Sequence, residues 1–138
     1  MTKQIWLNLP VKDISRSKEF FTALGFTFKE NRSNTTMLAM MVGENDFPVM
    51  LFEASVFKGV VQNEITDTIR SSELLISVDA ESREEVDAFA QKVTDAGGDV
   101  FAKPAEIQGW MYGCAFADPD GHRWNVLYMD MEKHSSIK

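Results

Sequence analysis

The sequence has 138 residues, 44% of them hydrophobic and 25% charged, a composition typical of one soluble globular domain. The 21 acidic residues outnumber the 14 basic ones and give a net charge of −7, which argues against nucleic-acid and membrane-surface partners. A single cysteine excludes an internal disulfide and, with no apolar run long enough to span a membrane, predicts a cytoplasmic protein.

The first half of the chain begins with a predicted strand over residues 4–11, where apolar and other side chains alternate. Pro10 lacks a backbone donor and predicts that this strand either lies at a sheet edge at that point or ends nearby. A helix is predicted over 14–24, with Asp13 or Ser15 as its N-cap and a glycine after its end. Three further strands are predicted over 26–30, 35–42 and 48–53.

The second half repeats this order of elements. A strand over 74–78 precedes a helix that opens with Ser82 and Glu85, the spacing of a capping box. The remaining strands are predicted over 99–103, 110–117 and 122–129. The polar tail from Met131 is expected to be frayed.

The repeated order predicts an α+β (mixed α/β) fold built from two βαβββ modules in a single domain, 1–138. The predicted parts are module one at about 3–55, a connector at about 56–71, module two at about 72–130 and the tail at 131–138. Apolar residues in the connector predict either a short helix or packing across a subunit interface.

Two segments of the chain resemble the vicinal oxygen chelate superfamily, which includes glyoxalase I, fosfomycin and bleomycin resistance proteins and extradiol dioxygenases. One is WLNLPVKDISRSKEFFTALGF at 6–26, similar to the family's opening strand and helix. The other is YGCAFADPDGHRWNV at 112–126, with the D-P-D-G turn between the last two strands. The resemblance implies paired modules that curve into an open, barrel-like cup (glyoxalase/bleomycin resistance-like), completed within or across a dimer.

The metal-dependent members of that superfamily place His, Gln or Glu ligands on the side of the sheet that faces the cup. The resemblance puts Trp6, Glu73 and Asn125 at three such positions, and Glu53 is the nearest candidate for a further carboxylate. An indole has no lone pair for a metal, and a neutral carboxamide is a weak ligand for transition metals. We therefore predict no metal cofactor. In the metal-dependent alternative, the candidate ligands of a divalent ion are Glu73, Asn125 and Glu53.

Several reactive residue types have structural interpretations that are favoured over catalytic ones. His122 follows a turn and is expected to pack on it or face solvent, and His134 lies in the polar tail. Cys114 alternates with apolar residues and is predicted to be a buried thiol. Asp118 and Asp120 belong to a D-P-D-G turn, where their carboxylates bond to local backbone groups.

Strand alternation places a mixture of apolar and polar side chains on the side of the sheet that faces the expected cup, as in a small-molecule pocket. The same residues would alternatively plug the cavity or pack in a dimer interface. Trp110 and Tyr112 are predicted at its rim. The predicted ligand-binding residues are Trp6, Asn8, Glu73, Met111, Asn125 and Leu127.

These patterns predict a metal-free, cytoplasmic, homodimeric protein that binds a small molecule. Trp6 would stack on a flat ligand, while Asn8, Glu73 and Asn125 would orient its polar groups. One alternative is a metal-dependent lyase, isomerase or dioxygenase with an atypical ligand set. Another is a non-catalytic dimeric scaffold whose cup is closed.

Overall fold

Each half of the chain folds into a four-stranded sheet with one main helix on one face. A computed structural model describes residues 1–136, and the chain divides into two compact units, Met1–Asp67 and the residues from Thr68 onward. In the described part of the chain, no helix has the length and hydropathy needed to cross a membrane.

Unit one consists of a mixed sheet and two helices. The strand order is β1-β4-β3-β2, with β1 parallel to β4 and the other pairs antiparallel. In chain order the elements are β1 (Leu7–Val11), α1 (Ile14–Ala23), β2 (Thr27–Phe28), a 3-10 turn (Glu30–Arg32), β3 (Met37–Val42), β4 (Phe47–Glu53) and α2 (Ala54–Val61).

The core of unit one lies between α1 and one face of its sheet. Asp13 caps α1 by accepting a hydrogen bond from the Arg16 backbone N–H at 3.2 Å. Phe20 and Phe21 on α1 are buried, with their rings edge to face and their centroids 5.1 Å apart. The alternating strand residues on the same side are buried with them: Leu9, Val11, Leu38, Met40, Val49 and Leu51.

Unit two repeats the same topology. The strand order is β5-β8-β7-β6, with β5 parallel to β8 and the other pairs antiparallel. Its elements are β5 (Leu75–Asp79), α3 (Arg83–Asp95), β6 (Asp99–Ile107), β7 (Met111–Ala117), β8 (Arg123–Met129) and α4 (Met131–Ser136).

The core of unit two is organised around Trp124, which is fully buried and stacks on Phe116 with ring centroids 6.1 Å apart. The indole Nε1–H of Trp124 donates to the Asp118 carboxylate at 3.1 Å. The backbone N–H groups of Asp120 and His122 donate to the other oxygen of Asp118, each at 3.0 Å. Asp118 therefore closes the turn between β7 and β8 and anchors it to the core.

The predicted α+β fold with two βαβββ modules is confirmed, since both units have the same element order and the same strand order. The edge position predicted from Pro10 is also confirmed, because β1 pairs only with β4. α2 begins at Ala54, in predicted module one, and extends into the predicted connector, which is therefore helical as far as Val61.

Four predicted elements differ from the structure. The strand predicted over 4–11 begins at Leu7, so Trp6 precedes it. The strand predicted over 26–30 is reduced to β2, because the chain turns at Glu30–Arg32. The strand predicted to end at Lys103 continues to Ile107, because an edge strand with two irregularities accommodates Pro104.

The tail that was expected to be frayed forms α4 through Ser136, and only residues 137–138 lie outside the described residues. Asp130 accepts a hydrogen bond from the Lys133 backbone N–H at 3.1 Å, and the His134 ring lies 4.1 Å from the Trp110 ring, centroid to centroid. These local contacts explain why a polar segment is helical.

Candidate ligand-binding site

The sheet of unit one has a second face, opposite α1, which we call open face one. Asn8 on β1 lies on it and is exposed, and it pairs with Met50 on β4, which pairs in turn with Ala39 on β3. The side chains on this face alternate with those of the α1 core. The predicted binding residue Asn8 is therefore available to a ligand.

Trp6 lies just before β1 and is 53% exposed, an unusual position for so large an apolar side chain. It lines a cleft of about 340 Å³, which we call the Trp6 cleft. That volume falls in the lower range of small-molecule sites. The cleft is lined by Gln4, Ile5, Trp6, Lys29, Arg32, Met41, Asn45, Asp46, Phe47 and Pro48.

Glu53, the candidate fourth ligand, has a structural role at the start of α2. It pairs with Val11, whose side chain belongs to the α1 core rather than to open face one. Its carboxylate accepts hydrogen bonds from the Ser55 hydroxyl at 2.7 Å and the Ser55 backbone N–H at 3.2 Å. These bonds hold the pKa of Glu53 below its usual range. Glu53 thus caps α2 and does not lie on open face one with Asn8.

In unit two, the sheet face opposite α3 (open face two) carries the predicted residue Asn125. It pairs with Ser77 on β5 and Ala115 on β7. The Oδ1 atom of Asn125 is buried and has no hydrogen-bond partner among the described residues. An unpaired buried acceptor costs about 1–3 kcal/mol, so a ligand donor that reached it would recover that cost.

The other predicted residues of unit two surround Asn125 to different degrees. Met111 and Leu127 are half-buried and, by strand alternation, lie on open face two with Asn125. Glu73 is exposed and lies in the segment before β5. Open face two therefore carries the carboxamide of Asn125 and apolar side chains.

The two predicted rim residues have separate surroundings. Trp110 contacts the His134 ring of α4. Tyr112 lies on the α3 side of the sheet, where its hydroxyl donates to the Asp87 carboxylate at 2.7 Å, and this bond raises the pKa of Tyr112. Tyr112 therefore does not face open face two.

Three of the residues interpreted as structural, Cys114, Asp118 and His122, are buried in unit two. Cys114 is 4% exposed, and burial, reinforced by the charge of Asp87, raises its pKa to about 11. His122 is also buried and packs at the turn held by Asp118, whose own pKa is raised by burial. A thiol with so high a pKa is a poor nucleophile near neutral pH.

The residues at the expected ligand positions are a poor fit to a catalytic metal. Such a site generally needs three protein ligands, whereas Trp6, Glu73 and Asn125 supply one carboxylate, one carboxamide oxygen and an indole. Across residues 1–136, no group of three or more His, Cys, Asp or Glu side chains is placed to hold an ion. We derive no metal-dependent step from this set.

Sequence reasoning did not find the cationic part of the Trp6 cleft. Lys29 precedes the 3-10 turn and lies in the strand predicted over 26–30, whereas Arg32 ends the turn and lies beyond that predicted strand. The available signal was the K-E-N-R-S-N run, whose polar and turn-forming residues favour a turn over a strand.

Comparison with known proteins identifies the family. The chain belongs to the Glyoxalase/Bleomycin resistance protein/Dioxygenase superfamily, whose family model matches residues 3–126. No curated protein matches the chain.

Solved structures share the fold over nearly the whole chain. The hypothetical protein SA1046 from S. aureus is 36% identical, with a TM-score of 0.84 over 93% of this chain and 95% of that one. A glyoxalase/bleomycin resistance protein/dioxygenase family enzyme from Burkholderia phytofirmans PsJN is 16% identical, with a TM-score of 0.77 over 90% and 96%. The fosfomycin resistance protein FosX from Listeria monocytogenes, complexed with Mn(II) and a sulfate ion, is 15% identical, with a TM-score of 0.71 over 99% and 97%. The last two are similar in fold alone.

Proposed function

We propose that this member of the superfamily binds a small molecule without a metal cofactor and without transforming it. The observation that carries the proposal is Trp6. At a position where metal-dependent relatives are expected to have a ligand, this chain has a 53% exposed indole that lines a cleft of about 340 Å³. An indole cannot coordinate a metal, but it offers a large flat surface for stacking.

In this proposal each unit contributes its own contacts. In unit one, Asn8 orients polar groups of a ligand that stacks on Trp6. In unit two, the buried, unpaired Oδ1 of Asn125 accepts a hydrogen bond from a ligand on open face two, where Met111 and Leu127 supply apolar contact and Glu73 orients a further polar group. We further propose that the protein acts in the cytoplasm as a homodimer.

The metal-free part of the proposal is tested by thermal unfolding with Mn²⁺, Ni²⁺, Zn²⁺ or Mg²⁺. We expect no increase in Tm, because only a ligand that binds the native state preferentially raises it. Elemental analysis should find the same metal content in wild type and Glu73→Ala. An increase in Tm that disappears in Glu73→Ala would instead support the metal-dependent lyase, isomerase or dioxygenase.

The binding part is tested by tryptophan fluorescence with a library of flat aromatic compounds. At least one compound should quench the wild-type emission, and the quenching should be lost in Trp6→Phe. Trp110→Phe is the matched control, since Trp110 lies in unit two beside His134, and it should retain the quenching. Absence of quenching by the whole library, or quenching that survives in Trp6→Phe, would favour the closed scaffold.

A further inference from the structure

We infer that the Trp6 cleft selects flat apolar molecules that carry one anionic group, with aromatic monocarboxylates as the ligand class. This inference rests on the proposed function and specifies its ligand. Two features of the cleft support it, a pair of cations on one fixed turn and an exposed apolar wall.

The cations are Lys29 and Arg32, which line the cleft and are exposed. Neither takes part in the ion pairs that join Lys18 to Glu30, Lys58 to Glu64 and Arg83 to Glu106. In a protein with a net charge of −7, two cations outside these ion pairs and beside an aromatic cleft are well suited to bind an anion.

The turn that carries these cations is held firmly against β3. The Lys29 backbone N–H donates to the Ala39 carbonyl at 2.9 Å, and the Arg32 N–H donates to the Lys29 carbonyl at 3.1 Å. The Ser33 hydroxyl donates to the same Lys29 carbonyl at 2.8 Å and accepts from the Ala39 N–H at 3.0 Å. The backbone positions of the two cations are thus fixed before a ligand arrives, which lowers the entropic cost of binding.

The apolar wall is formed by Ile5, Trp6 and Phe47, whose side chains are 75%, 53% and 41% exposed. A flat ring placed against them would remove apolar surface from water. Asp46 also lines the cleft, so the charged lining carries two positive charges and one negative charge. The net charge of the lining matches a monoanion better than a dianion.

The test compares 1-naphthaleneacetate with 1-naphthaleneacetamide by isothermal titration calorimetry, because the two probes share the ring and differ in the terminal group, an anionic carboxylate in one and a neutral carboxamide in the other. One charge–charge contact near the surface predicts that the carboxylate binds at least about fivefold more tightly at low ionic strength. The preference should fall as salt is added. Acetate alone should not bind measurably, because it lacks the ring.

Three variants locate the effect. Lys29→Gln and Arg32→Gln should each reduce the preference for the carboxylate and leave the affinity for the amide unchanged. Lys92→Gln, which removes an exposed cation from α3, is the matched control and should behave as wild type.

Equal affinity for the two probes, or a preference that survives in Lys29→Gln and Arg32→Gln, would overturn the inference while leaving metal-free binding intact. If neither probe binds but other compounds quench Trp6, the ligand class is wrong and the proposed function stands. If no compound quenches Trp6, both fail.

Discussion

Gly113 shows how closely neighbouring strands approach at a single residue. A Cβ added there would lie 2.7 Å from the Val126 carbonyl oxygen and 2.6 Å from Leu127 Cδ2. The carbonyl belongs to the sheet backbone and has little room to move, so we expect Gly113→Ala to lower the free energy of unfolding by about 1–3 kcal/mol.

Urea denaturation followed by circular dichroism measures this change. The matched control is Gly59→Ala on α2, where nothing lies within 4 Å of the added Cβ. That variant should be neutral or more stable by up to about 1 kcal/mol, because alanine favours a helix. Equal stability of the two variants would contradict the close contact between β7 and β8 at Gly113.

Cys114 predicts a dependence of stability on alkaline pH. Its pKa is raised from an ordinary value of 9.0 to about 11 in the folded protein, so the native state favours the neutral thiol. Its contribution to stability is complete below pH 9 and is lost as the pH rises towards 11, by which point the loss is on the order of 2 kcal/mol.

Guanidinium unfolding of wild type and Cys114→Ala from pH 8 to 11 tests this prediction. The stability difference between the two proteins should shrink as the pH rises, although the variant is less stable at pH 8 because it loses buried volume. A difference that stays constant over this range would show that the thiol has an ordinary pKa.

At the residue scale, strand alternation predicted the sheet face on which Asn8 lies, and Asn8 is on open face one as expected. Lys29 and Arg32 were missed because they enter the cleft from a turn, whose geometry depends on the tertiary contact between Ser33 and Ala39. Local periodicity carries no information about such a contact.

At the scale of the element, α3 depends on its N-terminal cap. The Ser82 hydroxyl accepts from the Glu85 backbone N–H at 3.1 Å, and the Glu85 carboxylate accepts from the Glu81 N–H at 3.0 Å. Since α3 covers the core of unit two, we expect Ser82→Ala to lower the free energy of unfolding by about 1 kcal/mol.

Chemical denaturation measures the effect of Ser82→Ala. Ser15→Ala on α1, where the exposed serine is not the N-cap, is the control and should change stability by less than about 0.5 kcal/mol. Equal losses in the two variants would argue against a specific role for the cap.

Strands and helices were predictable from the sequence where the alternation or capping pattern was strong. They were less predictable where contacts with other parts of the fold decide the secondary structure of a segment. The capping box at Ser82 placed α3 correctly. The extension of β6 past Pro104 depends on its position at the edge of the sheet, where one side of the strand needs no ladder partner. The helical state of α4 depends on Asp130 and on the contact between Trp110 and His134.

At the scale of the whole molecule, α2 supports the proposed homodimer. It is rich in apolar residues, yet none of its side chains is buried, and Val60 is 71% exposed. Exposed apolar surface of this kind favours association. Sedimentation velocity should therefore give the mass of two chains at micromolar concentration.

Val60→Asp should shift this protein towards the mass of one chain, because a carboxylate is costly to bury in an apolar interface. Thr94→Asp, an exposed substitution on α3, provides the matched change in charge and should leave the mass unchanged. A wild-type protein that sediments as one chain would contradict the dimer, and an unchanged mass in Val60→Asp would exclude α2 from the interface.

The strand order shared by the two units also determines when each strand can pair while the chain is being synthesised. In both units the last strand to leave the ribosome lies between the first strand and the third, so β1 has no pairing partner until β4 has emerged. A nascent chain that stops before Phe47 carries an unpaired β1, and unit one has all its strands once Glu53 is made. Unit two needs translation to reach Met129 before β5 can pair. A nascent chain therefore twice holds a first strand that has no pairing partner, and each such period ends when β4 or β8 has been made.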